Sequence, residues 1–402
     1  MKHYFFFFFI LIGLTGPLNA QPVAELQKWL ADGGQGAIET QRFAKMALSK
    51  TEADSAAQCI YSYFSHKESS LLKHEWVTRC MRADTLIMPI EYRIYGEKPE
   101  GGRSLYISMH GGGGTTAEVN DGQWLNQIRL YKPDEGVYVA PRAAVDAWNM
   151  WHQPHVGDFF DRIIRAAILT EDVNPDRVYI LGYSAGGDGV YRLAPRMADR
   201  WAAASMMAGH PGGVSLLNVR NIGLMLWMGA NDAAYDRNQE ARKYGAWLDS
   251  MAVADKGGYA HETHLVEGKG HWMDRADTAA IHWMARFTRN PLPTKVVWRQ
   301  DEVPQTAFYW LATTETQAQN GNSAIVERSG NTFTVLQNDY KTLLIGVNDE
   351  MIDFDRPVKV VSADGKILFK AKVKRTAASI LRSIEAKHDK RLIFTAYIEL
   401  NL

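Results

Sequence analysis

The stretch from Thr85 to about Asn290 alternates short apolar runs with longer amphipathic segments. Each apolar run ends in a Gly-rich or polar turn, and the runs lie at residues 105–109, 137–140, 178–181, 224–228 and 263–266. Strands that alternate with helical patterns predict βαβ units and a mostly parallel sheet that is buried on both faces. We therefore predict an α/β domain over residues 85–290, with helices on both faces of its sheet.

Two sections of different character flank this domain. Residues 21–84 are rich in Ala, Leu and Lys and lack β-branched runs, which predicts a helical N-terminal extension. The cluster Asn290-Pro291-Leu292-Pro293 is a breaker and marks a boundary. Beyond it, residues 295–402 show β-branched alternation separated by turn signals, with one helical stretch near residues 377–387. This pattern predicts a separate C-terminal β-rich, sandwich-like domain.

The first twenty residues have the form of a signal peptide. Lys2 precedes an apolar run from Tyr4 to Leu14, and a Gly-Pro breaker and the small residue Ala20 follow. Such a run is too short for the roughly 20 residues that cross a bilayer as a helix. We therefore expect residues 1–20 to be removed, the protein to be periplasmic or extracellular, and no membrane anchor to remain after cleavage.

The charge balance excludes two classes of partner. The chain has 45 Lys and Arg residues against 45 Asp and Glu residues, so its formal net charge is zero. Nucleic-acid phosphates and anionic lipid surfaces are bound by strongly basic faces, and this composition shows no such excess. Removal of Lys2 with the leader leaves a nearly neutral mature protein.

Cysteine and histidine usage gives no metal pattern. The sequence has two cysteines, Cys59 and Cys80, within a stretch that looks helical. In an oxidising compartment they could join two helices as a disulfide, or they could be two buried thiols, and the sequence leaves this open. The segment His261-Glu262-Thr263-His264 is one residue short of the H-E-x-x-H zinc motif. We expect neither a metal nor a cofactor.

A glycine-rich turn follows the predicted strand at residues 178–181 and reads Gly182-Tyr183-Ser184-Ala185-Gly186-Gly187. This is a G-x-S-x-G pattern, and a helical stretch at residues 190–200 follows it. In such a turn the glycines avoid backbone clashes, and the helix directs the positive end of its dipole at the serine. Ser184 is therefore the predicted nucleophile.

A second glycine-rich loop, His110-Gly111-Gly112-Gly113-Gly114, follows the strand at residues 105–109. Glycines let the backbone approach a developing oxyanion and point N–H groups at it. We assign Gly112 or Gly113, together with the N–H of Ala185, to an oxyanion hole.

A serine hydroxyl needs a base, and the base needs an acid that orients it. The strand at residues 224–228 ends in Gly229-Ala230-Asn231-Asp232, and the strand at residues 263–266 leads to His271. The order Ser184, Asp232, His271 is the order that this kind of site requires. Asp232 is the predicted acid and His271 the predicted base. Asp236, four residues beyond Asp232, is an alternative acid.

Several aromatic and histidine side chains are candidates for a substrate pocket. His110 belongs to the glycine loop, and His210 follows the strand after the serine turn. Trp151 and His152 lie in a loop rich in aromatic residues after the strand at residues 137–140. That loop either forms one wall of a substrate pocket or is a packed loop whose histidines are hydrogen-bonded within the protein.

The ordered motifs HGGGG, GYSAGG, GANDAAY and GKGHWMD resemble those of the α/β-hydrolase superfamily. More narrowly, they are similar to those of secreted esterases grouped with poly(3-hydroxybutyrate) depolymerases, feruloyl esterases and dienelactone-hydrolase-like proteins. The resemblance covers about half of the chain, from residue 90 to residue 289. It implies the α/β-hydrolase fold, the triad Ser184, Asp232 and His271, and a depolymerase-like activity on an ester.

The predicted function is an exported serine carboxylic-ester hydrolase that acts on a small-molecule or polymeric ester. A nearly neutral mature chain fits a neutral or polymeric ester better than a polyanion. One alternative is a serine peptidase of the prolyl-oligopeptidase type, although no blade-like repeat of about 40 to 50 residues is present. A second alternative is a non-catalytic polymer-binding protein on a hydrolase scaffold.

Overall fold

The computed structural model describes residues 21–34 and 36–402. The predicted signal peptide, residues 1–20, lies outside the described residues.

An eight-stranded sheet forms the centre of the molecule, with the strand order β1-β2-β4-β3-β5-β6-β7-β8. Its strands are β1 (Cys80–Ala83), β2 (Leu86–Tyr95), β3 (Arg103–Met109), β4 (Gly136–Pro141), β5 (Val173–Tyr183), β6 (Ala203–Met207), β7 (Gly223–Gly229) and β8 (His261–Val266). The six strands from β3 to β8 pair in parallel, and β1 and β2 are antiparallel additions at one edge. The prediction of a mostly parallel sheet is confirmed.

Eight α-helices surround the sheets in the described part of the chain. They are α1 (Gln21–Ala31), α2 (Lys50–Thr78), α3 (Ala117–Leu130), α4 (His155–Glu171), α5 (Ala185–Arg196), α6 (Arg237–Ala254), α7 (Ala279–Met284) and α8 (Ala377–Lys387). In the residues that the structure describes, no helix is both long and apolar enough to span a bilayer.

Alternate residues of β5 belong to two different apolar clusters. Val178 and Ile180 pack in the cluster that contains the buried faces of α4, α5 and α6. Tyr179 and Leu181 pack in the cluster that contains buried residues of α3 and α7. Because successive side chains of a strand point to opposite faces, the two clusters lie on the two sides of the sheet. Helices therefore cover both faces, which explains why the central strands read as continuous apolar runs.

Residues 295–402 form two further sheets, with the strand orders β10-β11-β14-β17 and β16-β15-β13-β12-β9. The strands are β9 (Lys295–Arg299), β10 (Ala307–Phe308), β11 (Leu311–Ala312), β12 (Ser323–Ser329), β13 (Thr332–Asn338), β14 (Thr342–Val347), β15 (Val358–Ser362), β16 (Ile367–Ala371) and β17 (Ala396–Asn401). Trp298 and Ile345 from these sheets belong to the same apolar cluster as Ile107 and Val139 of the central sheet. The apolar cluster of the β-rich section is therefore continuous with that of the α/β section.

The N-terminal section packs against the C-terminal helix. Leu26 of α1 and Ile60 of α2 share an apolar cluster with Ile380 and Ile384 of α8. Helix α2 begins with a capping box in which Ser49 and Glu52 exchange hydrogen bonds, so its N-terminal N–H groups are satisfied.

The predicted helical extension ends earlier than the sequence pattern suggested. Arg79 adopts a left-handed conformation with φ of 56° and ends α2, and Cys80–Ala83 then forms strand β1 rather than helix. Both cysteines are free thiols. Cys59 lies within the 29-residue helix α2, and Cys80 lies in strand β1 just after it. The two cysteines are therefore not on two helices that a disulfide could join. Because an α-helix rises about 1.5 Å per residue, the part of α2 after Cys59 separates the Cα atoms of Cys59 and Cys80 by far more than the roughly 7 Å that a disulfide can bridge.

A buried cluster of charges joins the α/β section to the C-terminal section. The guanidinium of Arg289 is 1% exposed and contacts Asp389 at 2.6 Å and Asp176 at 2.8 Å. Arg200 also pairs with Asp389, at 3.1 Å. Burial raises the pKa of the Asp389 carboxyl, and the charges of Arg289 and Arg200 overcome that effect and lower the pKa to about 2. The charges in this cluster compensate one another across the boundary between the two sections.

We predict that Arg289→Met destabilises the protein by about 3 to 5 kcal/mol, because it leaves the Asp389 carboxylate buried with less compensation. The free energy of unfolding, measured by urea denaturation, tests this. The pKa of Asp389 is lower in the folded protein than its unfolded value of about 3.9. The ionised Asp389 therefore stabilises the folded protein fully above about pH 3.9, and this contribution decreases as the pH falls towards 2. The exposed Arg356→Met is the matched control, and equal losses for the two variants would contradict the prediction.

Candidate active site

The predicted nucleophile lies in a sharp turn between β5 and α5. Ser184 has φ of 57° and ψ of −120°, a combination that side-chain-bearing residues rarely adopt. Glycines are needed on both sides of it. A Cβ atom on Gly182 would lie 2.3 Å from the carbonyl oxygen of Gly186, and one on Gly186 would lie 2.2 Å from that of Met109. The turn therefore packs backbone directly against backbone and projects Ser184 from the carboxyl edge of the sheet.

Three predicted residues form a hydrogen-bonded chain at that edge. The Ser184 Oγ lies 2.9 Å from His271 Nε2, and His271 Nδ1 lies 2.7 Å from Asp232 Oδ2. An ionised carboxylate only accepts hydrogen bonds, so Nδ1 is the protonated nitrogen and Nε2 is free to accept the serine proton. Asp232 is 3% exposed and His271 is 45% exposed. The acid is thus sheltered from water, while the base faces the solvent side of the site.

Close contact between two loops holds the acid and the base together. A Cβ atom on Gly229 would lie only 1.9 Å from the carbonyl oxygen of Gly270, so the loop after β7 touches the loop after β8. The phenol of Tyr183 donates a hydrogen bond to the carbonyl oxygen of His271 at 2.6 Å and so holds the loop after β8 in place. The alternative acid, Asp236, is exposed and lies at the start of α6. Asp232 is therefore the carboxylate that the structure brings to His271.

Two of the predicted oxyanion donors have free N–H groups. Ala185 is the first residue of α5, where an N–H has no partner within the helix. Gly112 lines the same cavity as Ser184 and has φ of 105°, which favours glycine. Within the described residues, neither N–H donates to another protein group. Gly112 shares the cavity with Ser184 and Ala185 follows Ser184 in the chain, so these two N–H groups are the candidate oxyanion donors.

The third predicted donor, Gly113, is occupied. Its N–H donates to Asn120 Oδ1 at 2.9 Å, and Asn120 Nδ2 donates to the Gly113 carbonyl oxygen at 2.9 Å and to Asp146 at 2.8 Å. Asn120 is fully buried and fixes the glycine loop through its two bonds to Gly113, while its bond to Asp146 holds the amide in place. The sequence alone does not identify Asn120, because an Asn within a helical pattern gives no indication of which groups its amide contacts.

Two of the predicted pocket residues are structural. His110 is fully buried, with Nδ1 2.6 Å from the carbonyl oxygen of Gly111 and Nε2 accepting the Ala143 N–H at 3.1 Å. Burial lowers the pKa of His110 to about 4, so the ring is neutral at physiological pH. Trp151 is also buried and donates its indole N–H to the His110 carbonyl oxygen at 2.9 Å. Both side chains support the glycine loop from behind and do not line the cavity.

The other two predicted pocket residues also lie outside the cavity that contains Ser184. His152 is partly buried, and burial lowers its pKa to about 4, with a further contribution from the charge of Arg192. His210 donates its backbone N–H to Asp188 at 2.6 Å. Burial raises the pKa of Asp188.

A cavity of about 530 Å³ opens beside Ser184 and His271. Its remaining walls are formed by the glycine loop, one side of α3 and the loop after β8, and the lining residues are Gly111, Gly112, Gln123, Asn126, Gln127, Arg129, Leu130, Tyr183, Trp272 and Arg275. No described group of three or more His, Cys, Asp or Glu residues could hold a metal ion. The arrangement pairs an activatable hydroxyl with two backbone donors in one open cavity, which is suited to attack on a carbonyl carbon.

Comparisons with known proteins return likenesses of structure alone. No protein-family model and no curated protein matches the chain. Among solved structures, a thermostable esterase is similar over 52% of this chain and 62% of its own, with 18% identity and a TM-score of 0.42. The fluorophosphonate-binding serine hydrolase F of Staphylococcus aureus is similar over 52% and 96%, with 14% identity and a TM-score of 0.38. A carboxylesterase from Mesorhizobium loti is similar over 52% and 99%, with 17% identity and a TM-score of 0.34.

We predict that Asn120→Ala lowers the rate at which Ser184 reacts with a fluorophosphonate probe by about 10- to 100-fold, because a mobile glycine loop stabilises the oxyanion less well. Gel-based labelling over time measures the rate. Asn218→Ala is the matched control, since Asn218 is another buried Asn that bonds to backbone groups, with its Nδ2 2.9 Å from the Arg299 carbonyl oxygen. If both variants label at the wild-type rate, Asn120 does not organise the loop.

Proposed function

We propose that the protein is a serine carboxylic-ester hydrolase with an α/β-hydrolase fold. The observation that carries the proposal is the continuous chain of hydrogen bonds from Ser184 Oγ through His271 to Asp232, with distances of 2.9 and 2.7 Å. The strained serine turn and the two free N–H groups beside it support the same conclusion.

The proposed reaction proceeds in two stages. His271 Nε2 takes the hydroxyl proton as Ser184 Oγ attacks the ester carbonyl, and the Asp232 carboxylate stabilises the imidazolium that forms. The N–H groups of Gly112 and Ala185 stabilise the oxyanion of the tetrahedral intermediate. His271 then gives its proton to the departing alcohol, which leaves an acyl group on Ser184. A water molecule, activated by His271, cleaves the acyl-enzyme and releases the carboxylic acid.

Two arrangements in the structure favour covalent chemistry over binding alone. The sheltered position of Asp232, 3% exposed, strengthens its interaction with His271, because water does not compete for the carboxylate. The backbone strain at Ser184 is maintained by close packing of Gly182 and Gly186, and a protein that only binds a polymer has no need of it. Turnover of a short-peptide panel alongside ester substrates separates an esterase from a serine peptidase.

We predict that Asp232→Asn lowers kcat for p-nitrophenyl acetate by about 10⁴-fold, because an amide at this position favours the wrong tautomer of His271. Ser184→Ala removes the nucleophile and leaves only background hydrolysis. Asp236→Asn is the matched control, since Asp236 lies on the same loop and is exposed, and we expect it to retain the wild-type kcat. Undiminished hydrolysis by Ser184→Ala would refute the proposed function, and a large loss in Asp236→Asn alone would identify the other acid.

We also propose that the enzyme is exported and works outside the cytoplasm. Support comes from the sequence of residues 1–20, with its basic start, apolar run and small residue at Ala20. Expression of the full chain in a bacterial host should yield a periplasmic or secreted form that begins at Gln21, as determined by N-terminal sequencing. A cytoplasmic product that retains Met1 would contradict export.

A further inference from the structure

The cavity beside Ser184 has an unusual lining for a site that takes an uncharged ester. Small-molecule pockets are predominantly apolar with a few polar groups that fix orientation. Here three amide residues and two arginines are among the lining residues, and the apolar residues are mainly Leu130, Tyr183 and Trp272. No Asp or Glu is among the lining residues. The cavity therefore carries a local excess of positive charge next to the nucleophile.

Helix α3 presents the polar wall. Asn126, Gln127 and Leu130 follow Gln123 at the i+3, i+4 and i+7 positions, so the four residues lie on one side of the helix, and all of them line the cavity. Gln127 is already engaged, because its Nε2 donates to Ser108 Oγ at 2.7 Å. Arg129 is exposed in the last turn of α3 and lines the same cavity. Within the described residues it pairs with no carboxylate.

The second guanidinium is held in place by the backbone. Asp274 and Arg275 are consecutive non-glycine residues in the left-handed region, with φ of 52° and 67°. The Arg275 Nη2 donates to the carbonyl oxygen of Leu130 at 2.8 Å, so its side chain reaches from the loop after β8 to the end of α3. A neutral carbonyl oxygen orients this guanidinium without neutralising it.

The carboxylates of Asp274 and Asp277 bond to groups other than Arg275, although burial raises the pKa of Asp277 and the charge of Arg275 partly opposes that shift. Asp274 pairs with Lys269 at 2.5 Å, and Asp277 is buried and accepts a hydrogen bond from the phenol of Tyr131. Arg275 has no ion pair among the described residues. Two arginines that share one cavity, with one of them pinned by a strained loop, are suited to a planar anion such as a carboxylate, which guanidinium groups bind through paired hydrogen bonds.

We propose that the substrate is an ester that carries a second, ionised carboxylate, which Arg129 and Arg275 bind while Ser184 attacks the ester carbonyl. This inference rests on the proposed function and names its substrate class. Hydrolysis consumes one water and releases an acid and an alcohol, and the bound carboxylate is unchanged by the reaction. Arg129 and Arg275 therefore determine specificity, and the reaction itself is carried by the triad.

Two matched pairs of soluble esters test the proposal, one for each side of the scissile bond. The p-nitrophenyl monoester of adipate is compared with p-nitrophenyl hexanoate, which places the carboxylate on the acyl part. The ester 4-acetoxybenzoate is compared with its methyl ester, which places the carboxylate on the alcohol part. In at least one pair we expect kcat/KM of the anionic ester to exceed that of the neutral ester by about tenfold or more. Added salt should reduce this preference.

The variants Arg129→Gln and Arg275→Gln should each lower the ratio of anionic to neutral kcat/KM by about tenfold, mainly through KM. Arg129→Glu should lower it further, because like charges repel. Arg242→Gln is the matched control, since Arg242 is an exposed arginine on α6 outside the cavity, and its ratio should equal that of the wild type. A ratio near one for both ester pairs, unchanged in the arginine variants, overturns the proposal while Ser184-dependent hydrolysis of the neutral esters leaves the proposed function standing.

A binding measurement keeps the two proposals separable. Calorimetric titration of Ser184→Ala protein with adipate measures carboxylate binding without turnover, and Arg129→Gln in that background should weaken it by about tenfold. Absence of binding in the Ser184→Ala protein counts against the carboxylate site. Binding without any Ser184-dependent hydrolysis in the wild type supports the carboxylate site and refutes the esterase.

Discussion

Direct contact of backbone with backbone at the serine turn is the constraint on which the rest of the site depends. A side chain on Gly186 would collide with the carbonyl oxygen of Met109 at 2.2 Å, and one on Gly187 would collide with that of Met207 at 2.5 Å. Helix α5 therefore starts against the ends of β3 and β6, and only this proximity brings the glycine loop after β3 to Ser184. A second contact of the same kind, between Gly229 and Gly270, brings Asp232 to His271. Four strands thus deliver their loops to one point because small residues remove the bulk between them.

The sequence predicted the parts of the fold that have a strong local pattern. The parallel strands are apolar on both faces, and the structure confirms a mostly parallel sheet with helices on either side. Strands β1 and β2 were missed, since β1 is only four residues long and Pro89 interrupts the apolar start of β2. The end of α2 depends on the left-handed conformation of Arg79, a residue type that gives no warning of it. The breaker cluster at residues 290–293 separates two sequence patterns, but one apolar cluster contains buried residues from both sides of it.

Within the site, residue types that act through one characteristic position were easier to predict than residues whose role depends on their neighbours. Ser184, Asp232 and His271 each follow a strand end in a recognisable turn, and the structure brings them within hydrogen-bonding distance. Gly113 was predicted as an alternative to Gly112 in the oxyanion hole and His110 as a pocket residue, but their polar groups bond to Asn120 and to Ala143. Which N–H group stays free is decided by a buried amide 7 residues away, and no spacing rule encodes that.

The net charge of the whole chain and the charge of the residues that line the cavity differ in this protein. A formal net charge of zero argued for a neutral ester, because it averages over the whole chain. Inside, acidic groups are drawn into structural pairs, such as Asp389 with Arg289, while the cavity at Ser184 keeps two arginines and no acid. A substrate meets the charges that line the cavity, whereas exposed charges farther away than a Debye length, about 8 Å at physiological salt, are largely screened. The proposed preference for an anionic ester therefore rests on the residues that line the cavity and not on the total charge of the chain.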